Sequence, residues 1–261
     1  MSTLYTLASG SSGNAMLLSQ GTTHLLIDAG ISCRRIVTAL ASLGLQPSDL
    51  SGICITHSHT DHVSGLKTLS KKHKLPIYLS HQAAEELSAK IPETAPYLRC
   101  FSTSTPFYVE DLLVQTFSVP HDAAGTVGYR IGDVGVLTDC GYVTQEMAET
   151  LFGVSLLVLE SNHDVEMVQS GPYPYYLKQR VLGDDGHLSN DHAAQFAQAM
   201  VHNGAATIIL AHLSQDNNTP QTALRTVCQA LEVVGLRPTV EVAPRDVMSR
   251  KYETTEVLCK K

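Results

Sequence analysis

Apolar residues at the start of the chain fall in short runs broken by Gly and Ser. They predict strands over residues 4–8, 15–19 and 23–28. Ile31, Ile36, Leu40 and Leu43 then recur at helical spacing, which predicts a helix over 31–43 with Gly44 as its stop. Residues 52–55 read as a short buried strand, 62–73 as a helix and 76–79 as a strand. The stretch 107–139 is strand-rich, with runs at 112–119, 126–131 and 134–138. Helical patterns follow at 144–151, 175–182 and 191–201, with strands at 156–160 and 207–210 between them. A helix over 220–234 and a strand over 239–242 end the pattern. Two strand-rich halves, each with its own helices, predict two sheets sandwiched between helical layers. No repeat, low-complexity tract or linker divides residues 1–261, so one domain is expected.

Composition changes this picture little. Hydrophobic residues make up 43% and charged residues 16%, an ordinary globular balance. A net charge of -7 weighs against non-specific binding to nucleic acid but leaves room for a local basic patch, such as KTLSKKHK at 67–74. The opening MSTLYTLASG lacks the basic region and apolar core of a signal peptide. The longest apolar runs, 155–159 and 205–211, are too short to span a bilayer, so no membrane association is expected. The six cysteines (33, 54, 100, 140, 228 and 259) form no CxxC pair and read as reduced thiols of a cytoplasmic protein. The 12 histidines are the oddity.

Three of the histidines and an aspartate concentrate in ITHSHTDHVSG, which holds His57, His59, Asp61 and His62. Residues two apart on extended chain point to one side, which pairs His57 with His59. Asp61 and His62 fall at the start of the next predicted helix, where an aspartate is also a good cap. Neutral imidazoles and a carboxylate suit a borderline divalent cation. Four ligands from so short a segment wrap a single ion poorly, so two metals are expected, with further ligands from elsewhere. His121 after TFSVP, Asp139 after VGVLT and His212 after ATIILA each follow an apolar strand, where a ligand is held rigidly. A two-metal centre supplies a shared hydroxide at neutral pH and polarises a substrate oxygen. The absence of a cysteine ligand leaves zinc, manganese or iron as the choices. Cys140, next to Asp139 on extended chain, points the other way and reads as packing.

HSHTDH, VPHD, LTDCG and LAHLS, in that order, resemble the metallo-β-lactamase superfamily over nearly the whole chain. The resemblance implies a four-layer αββα sandwich of class α/β with metals at one edge of the sheets. It implies that His57, His59 and His121 hold one metal, that Asp61, His62 and His212 hold the other, and that Asp139 bridges them. LESNHD and GHLSN resemble the phosphodiesterase branch, which implies that His187 donates a hydrogen bond or proton to phosphate and that Glu160 orients it. Proton donation to an alkoxide leaving group fits phosphodiester cleavage; a thiolate leaves with less help. SGSSGNA at 9–15 allows close backbone approach and an anion cradle, with Ser11 and Asn14 as the phosphate-binding candidates. His163 either backs the metal ligands or lies on the surface.

With the 160–190 segment and HLSQDNN, these motifs narrow the resemblance to the WalJ/YycJ-like subgroup. That subgroup implies a cytoplasmic bacterial DNA exonuclease of the 5′-3′ type and adds Ser214 as a substrate contact. Asp61, Glu160 and His187 form the expected catalytic set. Only 73 positions separate Asp139 from His212 (212 − 139), too few for an inserted nucleic-acid clamp. The tyrosines of GPYPYY (Tyr173, Tyr175 and Tyr176) read as base-stacking groups or loop anchors. The competing readings are a thioester or lactone hydrolase of the glyoxalase II type on the same metals, and a non-catalytic nucleic-acid-binding module.

Overall fold

The computed structural model describes residues 1–254, so Cys259 lies outside the described residues. Six strands in sequence build most of the first sheet: β1 Ser2–Ala8, β2 Ala15–Gln20, β3 Thr23–Ile27, β4 Gly52–Cys54, β5 Ile77–Ser80 and β6 Leu98–Phe101. The second sheet holds β7 Phe107–Val109, β8 Leu112–Ser118, β9 Val127–Ile131, β10 Val134–Leu137, β11 Leu156–Glu160, β12 Thr207–Ala211 and β13 Thr239–Val242. The last strand, β14 Tyr252–Glu253, returns to pair with β1, so the orders are β14-β1-β2-β3-β4-β5-β6 and β13-β12-β11-β10-β9-β8-β7. Each sheet has an antiparallel meander on one side and parallel strands on the other.

The helices are α1 Cys33–Ser42, α2 Thr60–Val63, α3 Leu66–His73, α4 His81–Lys90, α5 Gln145–Leu151, α6 Val165–Ser170, α7 Tyr175–Leu182, α8 Asn190–His202 and α9 Pro220–Val233. Strand side chains sort by parity into separate cores. Met16, Leu18, Leu25 and Ile27 of the first sheet meet Val134, Val136, Leu156, Val158 and Ile209 of the second between the sheets. Leu17, Leu26 and Ile53 face outward, against Ile36 and Leu40 of α1 and Leu66 and Leu69 of α3. Leu157, Leu159, Ile208 and Leu210 face α5, α8 and α9 on the other side. The result is the expected four layers, with strands apolar on both faces as buried strands require.

Most predicted elements lie within a few residues of their observed bounds, and the departures have local causes. The helix expected from 31 begins at Cys33 because Ser32 caps it, its side chain accepting from Arg35 N. Gly44 follows it at φ 76, the left-handed stop that glycine accepts. The single helix expected over 62–73 is broken at Ser64 and Gly65. Gly65 N donates to Ala29 O at 2.8 Å, and a Cβ on Gly65 would overlap the Ile31 carbonyl. That turn separates α2, which carries Asp61 and His62, from α3, which carries the basic run.

The strand directions place one end of β1, β3, β4, β8, β10, β11 and β12 along a common edge. The loops leaving these ends carry Ser11, Asp28, His57, His121, Asp139 and His212, with Glu160 the last residue of β11. Ligand sites form at such carboxyl ends of strands. Two bonds tie the sheets together there: Tyr129 OH donates to Ile55 O at 2.6 Å, and Val127 N donates to Thr56 O at 3.1 Å. No helix among the described residues is long and apolar enough to cross a membrane.

Candidate metal centre

At the shared edge, side chains separated by more than 150 residues converge. One group of ligand atoms comes from His57, His59 and His121 and another from Asp61, His62 and His212, each within 4.8 Å of one another. Asp139 lies between them. Its Oδ2 is 3.1 Å from His62 Nε2, and its Oδ1 is 3.5 Å from His212 Nε2 and 3.8 Å from His121 Nε2. All seven residues expected to hold metal are therefore brought to one place.

The donor chemistry fits bound divalent metal. His57 Nε2 is buried without a hydrogen-bond partner, which is unfavourable unless something binds there. The far nitrogen of each well-oriented ring is occupied. His62 Nδ1 is 2.7 Å from Asp28, His212 Nδ1 is 2.8 Å from Glu160, His121 Nδ1 is 3.2 Å from Gly186 O and His57 Nδ1 is 3.0 Å from Thr56 Oγ1. Such partners fix the tautomer that leaves the other nitrogen free to ligate. Asp28, Asp139 and Glu160 are buried carboxylates whose ionic partners are histidines, with no lysine or arginine among them. Buried negative charge of this kind needs positive charge beside it.

The protein's own groups respond accordingly. Burial opposes charge on His212, but Asp139, Asp61 and Glu160 override it and push its pKa up to about 10. Burial likewise opposes charge on His62, and Asp139 and Asp28 raise it well above the ordinary value. The protons these carboxylates draw onto the rings stand in the places a divalent cation would hold. His57 goes the other way: burial, and then His62, lower it, so its ring stays neutral, the form that binds metal. Asp139 is held well below the usual carboxylate range by His212 and His62 in spite of burial.

Backbone strain gathers at the same edge. Asp28, Asp139 and His212 adopt left-handed backbone with φ of 59°, 56° and 55°. Each lies one or two residues past the end of a strand. Non-glycine residues in this region cost on the order of 1–2 kcal/mol. The inversion turns each side chain back over the strand end.

Glu160 is fully buried with both oxygens engaged. Oε1 faces His187 Nδ1 at 2.9 Å and His212 Nδ1 at 2.8 Å; Oε2 accepts from Cys140 N at 2.7 Å and Leu188 N at 3.1 Å. These four contacts engage both oxygens, and one of the two falls with Asp139, His187 and His212 in a further group of possible ligand atoms. His187 lines the cavity, and Glu160 and Asp139 hold its pKa above the ordinary value against burial, which lowers it. Cys140 is buried in the outer core beneath α5 and α8.

The cavity over these residues has a volume of about 230 Å³, and Ser11, Ser214 and Tyr173 also line it. Asn14 is buried instead. Its side-chain oxygen accepts from Gly10 N at 2.9 Å, its amide nitrogen is 3.0 Å from His62 Nε2, and its backbone N donates to Asp61 O at 2.7 Å. It clamps the SGSSGNA loop to α2, while Ser11 and Ser12 are the exposed members of the loop. Gly30 belongs to the same clamp, since a Cβ there would overlap the Asp61 carbonyl. Tyr173 bonds Asp216 at 2.9 Å, whereas Tyr175 and Tyr176 stand exposed. His163 is buried off the cavity, and burial lowers its pKa to about 4. The basic run is remote as well: Lys67 and Lys71 both reach Glu93 at 3.1 Å, and no residue of 67–74 lines the cavity.

Asp28, Thr56, Asp122, Asn162 and Arg180 were not expected at the site. Asp28 had a signal, because it ends the apolar run THLLID as Asp139 ends VGVLTD. It holds both Thr56 N at 2.9 Å and His62. Replacing Asp28 with Asn is expected to weaken the metal held with His62 by about 10–100-fold. Competition with a chromogenic chelator measures this, and an unchanged affinity would show that His62 needs no such support.

A family profile for the beta-lactamase superfamily domain matches residues 23–213. The chain belongs to the beta-lactamase superfamily. Within the superfamily it is 38% identical over 236 residues to the exodeoxyribonuclease YycJ of Bacillus anthracis, covering 88% of this chain and 89% of the relative. It is 37% identical over 237 residues to the exodeoxyribonuclease WalJ of Streptococcus pneumoniae serotype 2 strain D39, covering 86% of each. A crystal structure of a new diphosphatase from the PhnP family shares the superfamily fold, with a TM-score of 0.69 and 17% identity over 97% of this chain and 99% of that one.

Proposed function

We propose that the protein is a binuclear metal-dependent phosphodiesterase acting on DNA ends, an exonuclease of the 5′-3′ type. The observation that carries this reading is the pairing of two ligand triads across Asp139 with a His187–Glu160 pair on the wall of the same cavity. The names of the two curated relatives support it. His57, His59 and His121 would hold one ion and Asp61, His62 and His212 the other, with Asp139 shared; the all-His/Asp donor set suits zinc or manganese, with iron also accommodated. Such a centre, when loaded, supplies an activated water and neutralises charge on the reacting phosphate.

The chain's own residues do the rest. His187, with Nδ1 held by Glu160, presents its other nitrogen to the cavity as the proton donor to the leaving oxygen. Glu160 keeps that imidazole charged and aimed. Ser11 and Ser214, which also line the cavity, offer hydroxyls to phosphate oxygens. The chain acts as one domain with no inserted clamp, so nucleic acid is gripped by loops around the cavity. The free thiols among the described residues suit a cytoplasmic protein.

The test is digestion of end-labelled single- and double-stranded DNA and RNA with zinc, with manganese and with EDTA, beside a thioester. Metal-dependent release of nucleotides from DNA ends is the expected result, and preference for the thioester would overturn the reading. His187→Ala should keep its metal while losing about 10²–10⁴ in turnover on DNA, the range for a general acid. Unchanged turnover would remove His187 from the mechanism.

A further inference from the structure

Arg180 is the sole lysine or arginine among the described residues lining the cavity. It projects from α7 with its side chain 60% exposed, and its Nε donates to Asp122 Oδ2 at 2.7 Å. The other oxygen of Asp122 lies 3.5 Å from His59 Nε2 and 3.3 Å from His121 Nε2. One carboxylate therefore separates the guanidinium from the first histidine triad. The two terminal nitrogens of Arg180 make no hydrogen bond to the described residues. They are the pair that matches the oxygens of a phosphate.

This arginine is held in place. His187 N donates to Val181 O at 3.1 Å, and a Cβ on Gly186 would overlap the carbonyls of Arg180 and Val181. The stretch that fixes His187 thus fixes the end of α7 as well. The carboxylates of the cavity wall are Asp61, Asp122, Asp139 and Asp185, beside the histidines of the metal centre. A polyanion entering it meets one guanidinium at the cavity mouth, already aimed by Asp122.

We propose that Arg180 binds the phosphate adjacent to the one being cleaved, with Asp122 holding its guanidinium at the cavity mouth. The proposal rests on the phosphodiesterase reading above. The scissile phosphate has to lie against the ligand atoms of the two triads. Arg180 is set back from them by the width of the Asp122 carboxylate, a position that a neighbouring phosphate of the same strand reaches and an isolated diester does not.

The experiment compares wild type, Arg180→Ala and Arg180→Lys, each loaded with the same metal. The substrates are an end-labelled DNA oligonucleotide and two single diesters, bis-p-nitrophenyl phosphate and thymidylyl-thymidine. For Arg180→Ala, KM on the oligonucleotide should rise about tenfold more than on the single diesters, with the effect in KM rather than kcat, as the loss of one charge-assisted contact implies. The salt dependence of the oligonucleotide KM should flatten by about one phosphate, roughly 0.7–0.9 in log–log slope. Arg180→Lys should recover the salt slope and part of the KM. An equal penalty on all substrates, or an unaltered salt slope, would overturn the assignment. A wild-type enzyme that hydrolyses the single diesters but leaves DNA intact would instead remove the nuclease reading beneath it.

Discussion

Glu160→Gln is expected to lower turnover on DNA by at least about a hundredfold and to empty the metal position that includes His212, in a chain that still folds. The reason lies in how the carboxylate is shared. Two backbone N–H groups, from Cys140 and Leu188, point at Oε2, and two imidazole Nδ1 atoms, from His187 and His212, point at Oε1. A glutamine of the same shape must turn its oxygen to the backbone donors, since its NH₂ would otherwise face two N–H groups. The NH₂ then donates to both Nδ1 atoms and forces the hydrogen of each neutral ring onto Nε2. In His212, Nε2 is the atom that faces Asp61 and Asp139 and has to be bare to ligate. In His187 the loss of the carboxylate removes what holds its pKa up. Elemental analysis, a thermal melt and a rate on labelled DNA together check this; full metal content with a wild-type rate would sink it. Glu160→Ala should also melt early, because it orphans two buried N–H groups and breaks a buried charged pair, a loss of about 3–5 kcal/mol.

The same side chain marks the limit of what the sequence discloses. A glutamate ending the apolar run LLVLE, with a histidine before the next helix, is enough to pair Glu160 with His187. That His212 shares the same oxygen from 52 residues away is a tertiary fact. Asp28 is legible in principle, since it ends an apolar strand as Asp139 does, yet its partner His62 lies 34 residues on. Asp122 and Arg180, 58 residues apart, look like ordinary surface charges until the fold sets them beside His121. The ligands themselves stand out because metal binding demands rare residue types at strand ends.

Elements follow the same rule. Strands apolar on both faces, such as LLVLE and TIILA, announce themselves as continuous runs. The missed helix α4 buries Ala83, Ala84 and Leu87, a face too small to give a strong period. The short pieces β7, β14 and α6, of 3, 2 and 6 residues, are held by their neighbours rather than by their own pattern. Asn14 shows the converse case, a residue whose motif suggests a phosphate contact and whose burial gives it a bracing role.

Asp139→Asn should have the other large effect, a loss of metal from both triads and of at least about 10³ in turnover, with little change in melting temperature. Asp61→Ala or His212→Ala touches one triad, whereas Asp139 lies within 3.8 Å of His121 on one side and of His62 and His212 on the other. Asparagine keeps the size of the side chain and is among the few residues that tolerate φ near 56°. What it changes is chemical. It removes a negative charge that the buried site is built around, and it turns an NH₂ toward Nε2 atoms that have to remain acceptors for a cation. Alanine at the same position lacks the short polar side chain that eases Asp and Asn into the left-handed region, so its melting temperature should fall while the asparagine variant's holds. That contrast separates the role of the carboxylate from the role of the turn. An asparagine variant that keeps its full metal content, or turns over DNA within tenfold of wild type, would show that the two triads do not depend on Asp139 to act together.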